Sequence, residues 1–171
     1  GPRVDELAER GDPAARPLPV PDCGSTLDFS YSGLKSQALL EIERLEARLG
    51  RIDLGDLGDL GSSGAEVPPA VLDLLAGFRA AAVAQVLDRL DRLAGRQPLE
   101  LLAVSGGAAA NRLLRRALAA WAARRGVDLR LVPLAYAGDN AAMIAFAALL
   151  RNRRGLADDP LTAEAESRIP L

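Results

Sequence analysis

An α/β fold, rich in helix and with a small mixed sheet, is what the sequence predicts, and three observations carry it. Two short apolar runs, residues 99–104 and 129–134, read as buried strands, and each leads through small or polar residues into a stretch with helical periodicity. Ala, Leu and Arg dominate a composition poor in aromatic residues, which favours helices packed by aliphatic side chains over a large sheet. The two strand-to-helix junctions face the same way in such an arrangement, and ligands collect at the carboxyl ends of strands so placed.

Residues 1–26 hold Pro2, Pro13, Pro17, Pro19 and Pro21; only 3–10 reads as a short helix, and the remainder as an extended connector. Residues 29–31 read as a short strand. The helix expected over 33–49 has Leu34, Ala38, Ile42, Leu45 and Leu49 at helical spacing, with Glu41, Glu43, Arg44, Glu46 and Arg48 on its wet side. Between 50 and 69 an imperfect Asp-Leu-Gly repeat has too few acids, and no closing glutamate, for a calcium loop; a flexible insertion is expected. A long amphipathic helix then spans 71–93 with Leu72, Leu75, Phe78, Val83, Val86, Leu87 and Leu90. Residues 155–171 form a polar tail.

The junctions are the informative part. In Ser-Gly-Gly-Ala-Ala-Ala-Asn-Arg, residues 105–112, Gly106 and Gly107 make a tight turn before a helix over 108–125. A turn without side chains lets backbone N–H groups approach a phosphate or a base, and the helix dipole favours negative charge there. In Gly-Asp-Asn-Ala-Ala-Met-Ile-Ala, residues 138–145, Asp139 opens a helix as its cap. Trp121 and Phe146 are assigned to the core.

Composition also excludes. The net charge of −2 offers no strongly basic domain. Cys23 stands alone, so no intrachain disulfide forms. No charged-then-apolar leader and no run of about 18 apolar residues stands out, and the cytoplasm is the expected location. The start at Gly1 reads as a piece of a longer chain. With no histidine, neither a Ser-His-Asp hydrolase nor a His-ligated metal site can be completed from this chain.

Four stretches, in order, carry a resemblance: Gly-Pro-Arg-Val-Asp-Glu-Leu-Ala at 1–8, Asp-Phe-Ser-Tyr-Ser-Gly-Leu-Lys at 28–35, and the two junctions; the closing Ser-Arg-Ile-Pro-Leu fits as well. Together they resemble the second half of the TsaD (Gcp) family, tRNA threonylcarbamoyladenosine synthases with an actin-like, Hsp70-like ATPase fold. The resemblance covers the chain outside 50–69. It implies one C-terminal lobe of a two-lobe enzyme, inactive alone, that moves a threonylcarbamoyl group from threonylcarbamoyl-adenylate to the exocyclic amine of the adenosine beside the anticodon, in tRNAs reading codons that begin with A. It also implies an adenine nucleotide and one divalent metal ion, iron or zinc, between the lobes. Implied partners are tRNA, a paralogous subunit of the same fold and a P-loop ATPase subunit.

Residue by residue, the resemblance makes Asp139 a metal ligand, the others coming from two histidines of the missing lobe; a helix cap is the plainer reading of the same carboxylate. Ala137 and Gly138 stand where the family most often has Cys-Thr. Asn111 matches a nucleotide-contacting asparagine, and an amide suits a ribose hydroxyl or an adenine edge, though local capping also wants Asn there. Gly106 and Gly107 belong to the same loop. Gly1 and Asp5 match residues that hold the sugar, where a carboxylate accepts from vicinal hydroxyls; Asp5 reads equally as surface. Ser32, Gly33 and Lys35 either neighbour the acyl-adenylate or simply start a helix, with Ser32 as its cap. Arg112, Arg115, Arg116, Arg124 and Arg125, with Arg151, Arg153 and Arg154, either meet tRNA phosphates or form solvated faces. Two other readings stand beside the transferase: a non-catalytic binding or regulatory module of the same fold, and a sugar or acetate kinase lobe. Self-association through an apolar face that the first lobe would cover is a further expectation.

Overall fold

A computed structural model describes residues 2–24, 26–50, 67–138, 140–156 and 159. Its axis is helix α3, Pro69–Ala94, which begins behind Pro68 with proline in its first turn, where a missing N–H costs nothing, and stops at Gly95. Against it pack α1, Pro2–Ala8, α2, Tyr31–Leu49, and α4, Arg112–Arg125. Leu7 joins Val67, Val71 and Leu72 in one buried cluster; Trp121, Ala122 and Val127 form a second, flanked by Leu87, Leu90 and Leu102. By length and composition α3 is also the one helix among the described residues able to cross a membrane. Part of its apolar side is taken up by these two clusters, 44% of its apolar window being buried.

The connector after α1 lies so close to α3 that side chains would not fit. A Cβ on Gly77 would sit 2.0 Å from the Arg16 carbonyl oxygen, and one on Gly11 would sit 2.1 Å from that of Leu72. Polar groups fix the same contact. The backbone N–H of Asp12 donates to Asp73 at 2.8 Å, and Arg89, nearly buried, donates through Nε to the Asp28 carbonyl at 2.7 Å and through Nη2 to that of Pro21 at 3.3 Å. Arg92 reaches the Gly24 carbonyl and Asp88. Arginines of α3 thus satisfy carbonyls of a proline-rich segment that has no secondary structure to do so.

Strand β1, Leu101–Val104, pairs in parallel with β2, Asp128–Leu131, from Leu101 opposite Asp128 to Val104 opposite Leu131. The described sheet is therefore two-stranded and parallel, not mixed as the sequence predicts. The difference lies at 29–31. No strand pairs there; the Ser30 N–H is satisfied by Gln85 Oε1 at 2.7 Å, the Phe29 and Tyr31 rings stack at 5.7 Å, and α2 begins at Tyr31. Ser30 is its N-cap residue, without a side-chain capping bond, so Ser32 falls in the first turn rather than at the cap.

Between β1 and α4 the chain makes a short 3₁₀ turn, Gly107–Ala110, so the helix expected from 108 starts later. Asn111 is extended (φ −61°, ψ 121°), breaks the run and caps α4 by accepting from the Leu114 N–H at 2.8 Å. The helix closes on Gly126, left-handed at φ 68°, a conformation glycine adopts without strain. After β2 comes a second 3₁₀ turn, Leu134–Tyr136, then α5, Ala141–Arg153.

The α5 cap is Asn140, which accepts from Met143 N–H at 2.9 Å, and not Asp139 as the sequence suggests; Asp139 lies outside the described residues. Phe146 is not core either: it is 62% exposed, and Met143 and Ile144 are exposed with it. A helix apolar on every side has no single stripe to direct it onto a neighbour, and among the described residues none of α5 is buried. The expected insertion falls mostly on 51–66, outside the described residues, but its last part, 67–69, belongs to the packed body through buried Val67. The expected tail lies outside them too, apart from 155–156 and Asp159.

Candidate functional site

The parallel register puts the carboxyl ends of β1 and β2, and hence both junctions, at one edge. Arg115 ties them together, donating through Nε to the Ala109 carbonyl and through Nη2 to that of Val132, each at 2.5 Å. Beside the first junction a cleft of about 820 Å³ opens between α1, α3 and the start of α4. Asp5, Arg79, Gly107, Asn111 and Tyr31 line it, over an apolar floor that includes Phe78 and Val86.

At its centre Asn111 donates through Nδ2 to Asp5 Oδ1 at 2.8 Å, and Arg79 Nη1 donates to the same oxygen at 2.9 Å. Asn111 thus takes the capping role that the sequence allows. Its Oδ1 caps α4, while one Nδ2 hydrogen and a lone pair on Oδ1 stay available. Among the described residues Asp5 Oδ2 accepts no hydrogen bond, although its side chain is only 21% exposed. Asp5 is therefore part of a network and not the solvated surface residue that its helix alone suggests.

Gly106 and Gly107 have different reasons to be glycine. Gly106 has φ 92° and ψ 167°, a region left to glycine. Gly107 is not so constrained, and a Cβ there would meet nothing within 4 Å; what it keeps open is the cleft. The N–H groups at the start of α4 and of the turn before it face the same end, where negative charge is favoured.

The structure does not bring the other predicted residues to this cleft as directly. From 28–35 only Tyr31 lines it; Ser32, in the first turn of α2, and Lys35, in the second, are exposed, and Gly33 packs near Ser30 and Pro21. Partial burial pushes the Tyr31 phenol above its ordinary value of 10.0, so it keeps its proton and can donate at the rim. Gly1 and Asp139 lie outside the described residues. Among the described residues no three metal-ligating side chains gather, so these residues alone do not fit a metal ion.

The arginines divide. Arg115 is structural, and Arg125 lies over the Trp121 ring and binds Asp91 at 2.6 Å. Arg112 and Arg116 stand on the exposed side of α4, 3.9 and 3.7 Å from Glu9. Arg79 was not legible as a site residue, though a signal exists: with Gln85 it is one of two polar residues between Asp73 and Asp88.

With this geometry in place, similarity to other proteins becomes interpretable. The family model of the tRNA N6-adenosine threonylcarbamoyltransferases, TsaD, matches residues 1–146. The tRNA N6-adenosine threonylcarbamoyltransferase of Methylorubrum extorquens (strain PA1) is 43% identical over 179 aligned positions, which cover all of this chain and 46% of that protein. That of Burkholderia thailandensis is 43% identical over 90% of this chain and 41% of its own length. The chain thus spans less than half the length of the curated relatives it matches. The helix-rich α/β fold agrees with that match, and the chain belongs to the tRNA N6-adenosine threonylcarbamoyltransferase (TsaD) family.

Proposed function

We propose that the full-length protein moves a threonylcarbamoyl group from threonylcarbamoyl-adenylate to the exocyclic amine of the adenosine beside the anticodon, in tRNAs reading codons that begin with A. This chain is its C-terminal lobe, of the actin-like, Hsp70-like ATPase architecture, and does not act alone. Family membership supports the reaction class. The observation that carries the assignment to this lobe is the convergence on one cleft of Asp5 with the Gly107–Asn111 turn, Asn111 lying 106 residues further along the chain than Asp5.

In that cleft the adenylate half of the donor is held. Asp5 Oδ2 accepts from the ribose hydroxyls, Asn111 offers its remaining amide hydrogen, and the loop at Gly106 and Gly107 lets backbone N–H groups approach the phosphate. Holding the donor by its leaving group fixes the acyl carbon in front of the tRNA amine. There the N–C bond forms as the bond from the acyl carbon to the phosphate oxygen breaks; AMP leaves and the amine loses a proton. A divalent ion, iron or zinc, would supply charge compensation for the phosphate, and Asp139 would be the one ligand that this chain offers it. The exposed arginines of α4, Arg112, Arg116 and Arg124, with Arg153 and Arg154 of α5 and its C-terminal end, meet tRNA phosphates. A paralogous subunit and a P-loop ATPase complete the assembly, in the cytoplasm.

The test is formation of the modified nucleoside in cognate tRNA by the full-length protein with its partner subunits, supplied with threonylcarbamoyl-adenylate. Asn111→Ala and Asp139→Ala are each expected to lower transfer at least about tenfold with the fold intact, the scale of one lost charge-assisted contact. Unchanged transfer by both removes this lobe from the site; no transfer by the wild type favours a binding module.

A further inference from the structure

Arg79 stands alone in the apolar run of α3, six residues from Asp73 on one side and six from Gln85 on the other. Its side chain is 12% exposed. Nη1 donates to the Asp5 carbonyl and to Asp5 Oδ1, both at 2.9 Å, and Nη2 donates to the Ala8 carbonyl at 3.2 Å; Glu9 lies 3.9 Å away. Among the described residues Nε is buried without a partner. The bond to the Ala8 carbonyl is that of a helix cap: this last carbonyl of α1 has no backbone donor among the described residues, and the dipole favours a cation there, whereas the Asp5 carbonyl also accepts from the Glu9 N–H at 3.2 Å. The bond to Oδ1 is not needed for capping. Together with Asn111 Nδ2 on the same oxygen at 2.8 Å, it fixes the rotation of the carboxylate and leaves Oδ2 as the acceptor without a protein partner among the described residues.

We propose that Arg79 is a positioning residue for nucleoside recognition: with Asn111 it clamps Oδ1 of Asp5, so that Oδ2 is presented to the vicinal hydroxyls of a ribose in the cleft. The proposal rests on the reading of this cleft as a nucleotide site. Its consequence is selectivity for the sugar. A site built to hydrogen-bond a hydroxyl rejects the analogue that lacks it, because the buried acceptor is left unpaired.

Equilibrium binding of AMP, 2′-deoxy-AMP and adenosine to the full-length protein tests it, in the wild type, Arg79→Gln and Asp5→Asn, with thermal unfolding as a check on folding. The wild type is expected to prefer AMP over 2′-deoxy-AMP by about tenfold or more. Arg79→Gln brings that ratio close to that of Asp5→Asn, lowering affinity for AMP more than for 2′-deoxy-AMP, which keeps only the 3′-hydroxyl. Should Arg79→Gln fail to fold, Arg79→Lys, which keeps a charge against Asp5 without the fork, is expected to give an intermediate ratio. An unchanged ratio in the folded variants overturns the proposal, as does loss of the preference for AMP over adenosine alone, which would put Arg79 on the phosphate. A wild type that binds AMP without preferring ribose overturns the proposal and leaves the cleft reading standing. A wild type that binds no nucleotide removes both.

Discussion

Gly106 and Gly107 sit side by side in the sequence and do different work in the structure. Gly106→Ala forces an L-residue into φ 92°, ψ 167°, and is expected to cost about 1–3 kcal/mol in denaturant unfolding. Gly107→Ala meets nothing within 4 Å, so stability is expected to stay within about 0.5 kcal/mol while nucleotide affinity falls, because the methyl group enters the cleft. Calorimetry of binding beside chemical denaturation separates the two. A pH effect belongs to the same scale. Hydrogen bonds from Arg130 hold the Asp128 carboxyl below its ordinary value of 3.8, outweighing its slight desolvation. The folded state therefore binds fewer protons than the unfolded one, and the contribution is present above 3.8 and lost as pH falls through the lower folded value. Asp128→Asn is expected to shift the denaturation midpoint slightly near neutrality and not at all in strong acid. The pair is exposed, so the effect is small.

At the scale of elements, the α3 contact with the connector is the least forgiving. Gly77→Ala places a methyl group against the backbone of Arg16, with no flexible side chain to yield, and an expected loss of about 1–3 kcal/mol would be seen as a lower thermal midpoint. Elements whose signals are local were legible: α1, α3, the existence of both strands and the glycine turn follow from periodicity and breakers within a few residues, although the strands are shorter than expected and none of their residues is buried. The strand expected at 29–31 was not, because the partner that satisfies Ser30 is Gln85, 55 residues away. For the same reason the Asp5 and Asn111 pairing, and Arg79 above all, could not be read from neighbours: Arg79 and Asp5 are 74 residues apart. The capping switch from Asp139 to Asn140 is a choice between two adjacent residues with nearly equal capping preference, which composition does not decide.

Among the described residues there is one packed body and one helix left out of it. Trp121 is 1% exposed and hydrogen-bonded to Asp91 at 2.8 Å, so Trp121→Ala is expected to cost about 3–5 kcal/mol in this chain. Phe146→Ser, on α5, is expected to change stability by no more than about 0.5 kcal/mol, since among the described residues α5 buries nothing. The sequence assigns both to the core, because an apolar residue at helical spacing looks the same whether or not a neighbour exists to cover it. The central claim is that the cleft between α1, α3 and the start of α4 holds the adenine nucleotide. Hydrogen exchange on the full-length protein with and without AMP tests it most directly. The account predicts slower exchange in 2–9, 76–86 and 105–114 together. Binding of AMP with exchange in these three segments unchanged, and protection found elsewhere, would contradict it.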